Sequence, residues 1–494
     1  MGRKPLPYTG AVTWDVIVVG GGPAGLMSAL AAAGSGARAV VLERMPSPAR
    51  KLLASGGGQG NLTHAGEIAD FLPHYHGGER PGAAGRFLRP ALYAFSNRDL
   101  AAFCARRGLP LVEDPDGRAF PRTRRAGDVL ELLLAEARRL RVEVRTGVRV
   151  LGLRAERRGF TASSPGVSFS GRVAVLATGG RSYPSLGATG DGYLLAAAVG
   201  HRVVPPLPAL APVQVRRAAF GPFASCAGVA LRGTEVALVR GGEVLARRRG
   251  DVLFTHRGLS GPAVLDLSRD AAPGDLLRVA LAPGLGDLAS AEGLLEEEVA
   301  RRGLRTVPNL LSGLGVPGCV ARAAAAAVGV PLSTKAAELT RAARRDLAGS
   351  LVGHPFPVAA VGGWDVAMVT RGGVALDEVD PKTMESRLVP GLFFAGEVLD
   401  VDGDTGGYNL QAAFSTGRLA GLSAARRALG RGTRPGRKVP PHQRPRPARE
   451  PNANPRNRPH GKPGRSPRTG WRQDHDLPPR DEKRRVKRPK HPHG

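Results

Sequence analysis

The chain reads as an α/β protein: a discontinuous Rossmann-like domain, an inserted β-plus-α domain, and a disordered basic tail. Three observations predict this. A strand, a glycine turn, a helix and a second strand ending in an acid follow one another in "DVIVVGGGPAGLMSALAAAGSGARAVVLER", residues 15–44. A strand, turn and helix pattern returns in residues 391–429, "GLFFAGEVLDVDGDTGGYNLQAAFSTGRLAGLSAARRAL". Between them, residues 202–356 break the rhythm with a proline cluster, short alternating strands and Ala/Leu-rich helical stretches. A chain of 494 residues also exceeds what one hydrophobic core usually holds. The expected divisions are a leader at 1–14, a first part at 15–201, the insert at 202–356, a second part at 357–429 and the tail at 430–494.

The first unit carries a dinucleotide fingerprint. Gly20 permits the tight turn after the strand, and Gly22, followed by Pro23 and Ala24, lets a pyrophosphate approach the backbone. Gly25 lets the helix sit close to the strand, and the helix N-terminus faces the phosphate charge. Glu43, closing the second strand, is placed to accept both hydroxyls of an adenosine ribose. The same glycine spacing recurs at residues 313–318, "GLGVPG", but after a helical stretch and with no acid-ended strand behind it. That copy predicts only a helix–helix turn, so the chain offers one dinucleotide fold and no separate one for a nicotinamide.

Next comes "RKLLASGGGQGNLTH", residues 50–64, a loop predicted to fold over the same ligand through Gly56, Gly57, Gly58, Asn61 and Thr63. A helix and a strand follow over 127–151. An apolar strand then ends at Ala177, Thr178 and Gly179, a second close approach of chain to ligand, and a glycine-rich turn at 187–192 opens another helix.

Charge and cysteine usage bound the surroundings. The net charge is +29, but residues 430–494 hold 20 basic and five acidic residues, leaving 51 and 37 for the rest. That tail is rich in proline and nearly empty of aliphatic residues, so it cannot bury enough apolar surface to order itself. It is expected to bind polyanions non-specifically, with strong salt dependence. Cys104, Cys226 and Cys319 lie far apart in sequence with no CxxC. They predict neither a disulfide framework nor a dithiol centre, and fit a reducing cytoplasm. No apolar run is long enough for a membrane span.

Five segments resemble the BaiN/RdsA-type flavoproteins, a bacterial family of FAD-containing oxidoreductases also called YhiN-like. They are "VIVVGGGPAGL", "RKLLASGGGQGNLTH", "ATGGRSYPSLGATGDGY", "LFTHRGLSGPAVLDLSR" and "GGVALDEVDPKTMESRLVPGLFFAGEVLDVDGDTGGYNLQAAFSTG". Together they span roughly residues 15–429. The resemblance implies FAD as cofactor and a Rossmann-like FAD-binding domain interrupted by a substrate domain. It extends the expected cofactor set to Arg44, Lys51, Ser55, Val148, Asp191, Gly396, Glu397, Gly407, Tyr408, Asn409 and Leu410. One departure stands out: the family commonly has Cys-Asn after the glycine triplet, and this chain has Gly60-Asn61.

Asp400, Asp402 and Asp404 alternate like calcium ligands, yet the stretch is no EF-hand. Counting from Asp400, the sixth position is Thr405 rather than glycine and the twelfth is Gln411 rather than an acid. As a flavin loop it makes sense: Gly406 and Gly407 let the chain approach the ring, and the helix from Tyr408 points its positive end there. No metal is expected, and the three aspartates are left between shaping turns and a role at the site.

The function expected is an FAD-dependent oxidoreductase, reduced by NAD(P)H and passing hydride to a small organic acceptor. A flavin oxidase using oxygen, and an RNA-associated or non-catalytic flavoprotein, remain as alternatives. His256, Tyr183 and Tyr408 are the candidate proton donors, each equally open to a structural role. Neither oligomeric state nor substrate is legible.

Overall fold

The computed structural model describes residues 14–430. The leader and the basic tail therefore lie outside the described residues, apart from Trp14 and Gly430 at their edges.

A run of β-branched residues makes the first strand, Trp14–Val19, and every residue after Trp14 in it is buried. It pairs in parallel with Ala39–Leu42 on one side and with Val167–Leu176 on the other. Glu143–Arg145 extends the sheet beyond Ala39–Leu42, and Leu392–Phe394 adds in parallel to Val167–Leu176. An antiparallel flap, Gly152–Glu156 and Gly159–Ser164, completes the seven strands through the early half of Val167–Leu176. Continuous apolar strands such as "VIVV" suit a parallel sheet covered on both faces.

The helix Pro23–Gly34 starts on Pro23, whose missing N–H costs nothing at a first helical position. Its main partner is the last helix, Tyr408–Ala428. These two helices touch backbone to backbone: a Cβ added to Gly417 would lie 2.4 Å from the Ala24 carbonyl oxygen, and one on Gly421 2.1 Å from that of Ser28. Small residues at those positions are therefore required by packing.

The insert is built on a closed antiparallel barrel. Its six strands are Val213–Val215, Ala230–Arg240, Glu243–Phe254, Gly258–Ser260, Leu276–Val279 and His354–Val361. The expected boundary at 356 falls inside His354–Val361, because closure requires that strand to pair with both Val213–Val215 and Leu276–Val279. Phe223, Phe254 and Phe356 fill the barrel's core with mutually packed rings. Leu288–Arg302, Val307–Gly313, Gly318–Ala327 and Arg341–Gly353 supply the helical part. The decoy glycines at 313–318 do form a helix–helix turn there. Entry and exit of the insert run side by side as the antiparallel pair Val203–Ala209 and Val369–Val374.

Among the described residues no helix is long and apolar enough to cross a membrane.

Candidate active site

The site is assembled at the C-terminal ends of the parallel strands, where open α/β sheets place their ligands. Gly20 has φ +107°, and a Cβ there would sit 2.4 Å from the Ala177 carbonyl oxygen. The turn thus presses against the end of the neighbouring strand. Gly22 is different: a Cβ on it would meet nothing within 4 Å. Gly22 also begins the helix with no side-chain cap, so the helix's first N–H groups have no side-chain acceptor from that position.

Glu43 is buried at the end of its strand. Its Oε2 accepts from the Gly21 N–H at 2.8 Å and its Oε1 from the Met45 N–H at 2.8 Å. Beside it opens a cleft lined by Gly20, Arg44, Val148, Thr178, Thr189 and Asp191, among others. Asp191 accepts from Arg149 at 2.8 Å and from Arg44 at 3.2 Å. Burial alone would raise its pKa, but the bonds from Arg149 and Thr189 and the charge of Arg44 bring it below the ordinary carboxylate value. The Thr178 hydroxyl is buried with no partner.

A second cluster joins the sheet to the loop after Glu43. Lys51 Nζ donates to Ser182 at 2.6 Å and to both oxygens of Glu397, at 2.7 and 2.9 Å. Glu397 Oε1 also accepts from the Thr370 N–H at 2.9 Å. Gly180 leaves room for this network, since a Cβ there would lie 2.3 Å from the Thr370 hydroxyl oxygen.

The expected flavin loops meet directly. Ser55–Gly58 forms a short turn after the helix Arg50–Ala54, with Gly56, Gly57, Gly58 and Gly60 all at positive φ. Asn61 oriented with its amide oxygen toward Gly407 accepts from that N–H at 3.1 Å and donates to the Thr63 carbonyl at 3.1 Å. A Cβ on Gly407 would lie 2.4 Å from the Thr63 carbonyl oxygen, so glycine is obligatory there. The Thr63 hydroxyl is another buried group without a partner. Asn409 ties the turn down, accepting from the Gly403 N–H at 2.8 Å and donating to its carbonyl at 2.7 Å. Gly396, at φ +74°, packs on Ala24, and Leu410 follows Asn409 into the helix. Ser55 is turned inward, its hydroxyl donating to the Leu52 carbonyl at 2.7 Å.

The three aspartates do more than shape turns. Asp400 Oδ2 accepts from the Gly78 N–H at 2.8 Å. Asp402 takes Arg269 Nε at 2.6 Å, and Asp404 takes Arg269 Nη1 at 3.3 Å, His74 Nδ1 at 3.0 Å and His76 Nε2 at 2.9 Å. Burial works against the Asp404 charge, but its two imidazole bonds and the Arg269 charge hold its carboxyl well below the usual range. Arg269 comes from the insert, just beyond the helix Pro262–Leu267. From that helix Asp266 accepts from the Thr405 N–H at 2.7 Å and its hydroxyl at 3.2 Å. Burial, and then the Asp404 charge, push Asp266 up to about 6. No group of three or more His, Cys, Asp or Glu residues among the described residues is arranged to hold a metal ion.

The three expected proton donors part company. The Tyr408 ring is wedged between His74, 4.4 Å away and nearly parallel, and His64 at 5.2 Å, with Phe71 and Tyr75 edge-on. Burial pushes its hydroxyl up to about 12. Tyr183 sits at φ +56° with its N–H donating to the Trp364 carbonyl at 2.9 Å. His256 is exposed at the tip of the barrel turn closed by Thr255 and Gly258.

Sequence reading had missed His74, His76, Asp266, Arg269, Ser182 and Thr370. The two histidines flank Tyr75 at strand spacing, a same-face signal, and the bridge pairing Asp402 with His76 carries them to Asp404.

The sequence model of a family described as "HI0933-like protein Rossmann domain" matches residues 14–423. The chain belongs to that family. HI0933-like proteins of the BaiN/RdsA type are FAD-dependent oxidoreductases, and the FAD-binding Rossmann domain implies FAD as cofactor here. The residues present fit the group: an uncapped helix start with open space at Gly22, and buried unpaired hydroxyls at Thr178 and Thr63. Among similar proteins is a 3-dehydro-bile acid delta(4,6)-reductase of Clostridium scindens. It is 35% identical over 418 residues, covering 83% of this chain and 98% of the relative. A ribosomal RNA dihydrouridine synthase of Escherichia coli is 31% identical over 408 residues, covering 82% and 96%. Its namesake in Haemophilus influenzae is 30% identical over 420 residues, covering 83% and 98%.

Proposed function

We propose that the protein is an NAD(P)H-driven flavin reductase that saturates a carbon–carbon double bond conjugated to a carbonyl. Two of the relatives carry names that describe such a product, one acting on a bile acid and the other forming dihydrouridine. The observation that carries the reading is the Asn61–Gly407–Thr63 junction, over which the insert's Asp266 holds Thr405. A ring placed against that turn has the FAD-binding sheet on one side and the insert on the other.

In this reading Gly20, Gly22, Pro23, Ala24 and Gly25 take the pyrophosphate, and Glu43 the adenosine ribose. Ala177, Thr178 and Gly179 line the path between them. Lys51 and Glu397 anchor the chain that leads to the ring. FAD, when bound, supplies the atom that accepts and gives hydride. The protein's own work is to orient the partners, exclude water and deliver a proton. With one Rossmann unit, nicotinamide and acceptor use the site in turn, a ping-pong scheme.

The test is an anaerobic titration of the FAD-loaded protein with NADH and, separately, NADPH, followed by flavin absorbance. Rapid bleaching by one donor, reversed by a 4-en-3-one steroid or by uridine-containing RNA, supports the reading and names the acceptor class. A yellow protein that neither donor bleaches at a catalytic rate sinks it.

A further inference from the structure

A cluster of arginines stands apart from the flavin turn, farther along the last helix. Gln411 Nε2 and the Ser415 hydroxyl both donate to the Phe95 carbonyl, at 3.0 and 2.7 Å, and Arg418 follows on the same face of Tyr408–Ala428. Gly417 and Gly421, which press on the helix of the pyrophosphate turn, lie on a different side. The Arg418 guanidinium covers the Phe95 ring at 5.0 Å, and that of Arg107 covers the Phe103 ring at 3.8 Å. The two rings meet edge to face with centroids 6.3 Å apart, so both cations stand on one aromatic platform.

Charge in this cluster is out of balance. Arg418 is partly buried, Arg106 is exposed, and neither guanidinium has a hydrogen-bond or ion-pair partner among the described residues. Burial lowers the Arg418 pKa, Asp99 acts against that, and Arg106 and Arg107 add to it as like charges. Asp99 already accepts from the Ser96 N–H and hydroxyl, at 2.9 and 2.7 Å. Glu136 is divided between Arg107 and Arg139. Four guanidiniums thus share two carboxylates, a surplus of two positive charges. Arg107 Nε is also buried with no partner. Rings that cover guanidinium faces leave the in-plane N–H groups free, and those are the ones that fork onto an oxyanion.

We propose that Arg106, Arg107 and Arg418 form a binding site for a phosphate group, taken as the dianion of inorganic phosphate or of a small phosphomonoester. A dianion matches the surplus of two charges, whereas a carboxylate or a single phosphodiester supplies one. Phe95 and Phe103 hold two of the guanidiniums in place and shield them from water, which strengthens their pull on an anion. The site goes beyond the reductase reading and does not depend on it.

The test is equilibrium dialysis of the full chain, with saturating FAD, against inorganic phosphate at pH 8, ionic strength being held constant with chloride. Arg418→Gln is expected to weaken one saturable phosphate site about tenfold or more. Arg106→Gln, at an exposed position outside the core, should weaken the same site, so a folding defect in the first variant cannot hide the answer. Arg157→Gln removes a charge from an exposed turn elsewhere and should leave the site at wild-type affinity. Equal affinity in wild type, Arg418→Gln and Arg106→Gln overturns the proposal. So does a loss in Arg157→Gln as large as in the other two, because net charge alone then explains it. A single-stranded oligonucleotide without terminal phosphates is the phosphodiester arm: failure to displace phosphate from the site supports the dianion, and displacement overturns it. Every arm compares variants, so a chain that takes no FAD sinks the reductase reading while the dialysis still decides this site.

Discussion

The Lys51 ammonium and the Glu397 carboxylate meet at 2.7 Å across 346 positions of sequence, tying the loop after the first nucleotide unit to the second part of the sheet. Both side chains are largely withdrawn from solvent, and Ser182 and the Thr370 N–H complete the network. Charged hydrogen bonds in such a setting contribute about 1.5–3 kcal/mol. Lys51→Met should therefore lower thermal stability by an amount in that range and weaken FAD binding about tenfold or more. A melt and an FAD titration check both, and an unchanged FAD affinity would exclude the pair from the cofactor site.

Two glycines should separate folding from cofactor binding. Gly407→Ala puts a methyl against the Thr63 carbonyl at a φ of +101°, so the fold itself should suffer, by about 1–3 kcal/mol or more. Gly22→Ala meets no atom within 4 Å at a φ of −76°. Its melting temperature without FAD should stay near wild type, while FAD affinity falls because the methyl occupies the space above the helix start. Wild-type FAD affinity in Gly22→Ala would move the pyrophosphate elsewhere.

Asp266 makes stability fall with rising pH. Its folded-state value of about 6 exceeds the ordinary 3.8, so the folded protein holds the proton over that window and the unfolded chain does not. The loss sets in as pH rises through about 4, is complete above about 6, and amounts to at most about 3 kcal/mol. Asp404 acts oppositely below that window, its depressed value giving stability that is lost only as pH falls below the ordinary carboxylate range. Because His354 contributes an opposite slope in the same window, the check is a difference: in urea melts between pH 4 and 7, the stability of wild type relative to Asp266→Asn should fall as pH rises from about 4 to about 6.

The insert carries a separate acid weakness. His354 sits 4.8 Å from the Phe223 ring and 4.7 Å from that of Phe356, and burial lowers its pKa from 6.5 to about 4. The folded state thus refuses a proton that the unfolded chain takes, and stability is lost as pH falls from 6.5 toward 4, by at most about 3 kcal/mol. His354→Gln should remove that contribution, so that the stability of wild type relative to the variant falls as pH drops from 6.5 toward 4. Hydrogen exchange at pH 5 should show the barrel strands opening earlier in wild type than at pH 7, and equal protection would count against it.

The FAD-binding half was legible because its signals are local. Gly20, Gly22, Gly25 and Glu43 act within one strand–turn–helix–strand unit, and each sits where the spacing put it. The helix–helix turn at 313–318 was likewise readable from its neighbours. What stayed hidden is held by contacts between distant segments. No local pattern says that Arg269 of the insert reaches Asp402, 133 positions later, or that His74 and Asp404 are bonded across 330. His256 stood with Tyr183 and Tyr408 as a candidate proton donor, but the insert meets the 402–405 stretch through Asp266 and Arg269, and His256 lies exposed at a barrel turn. The strand ending the barrel was cut short at 356 because closure is a property of all six strands together.

The backbone-tight seam between Pro23–Gly34 and Tyr408–Ala428 sets an order of events during synthesis. The phosphate turn lies in the first unit to leave the ribosome. Here the helix that begins at that turn packs on a partner made nearly 400 residues later. The insert has its own core and can condense while that partner is still being translated. The FAD-binding sheet, though its first strands are made earliest, should therefore close last. A chain interrupted before residue 408 should therefore carry a folded barrel and no competent nucleotide site, so the cofactor reports on completed chains.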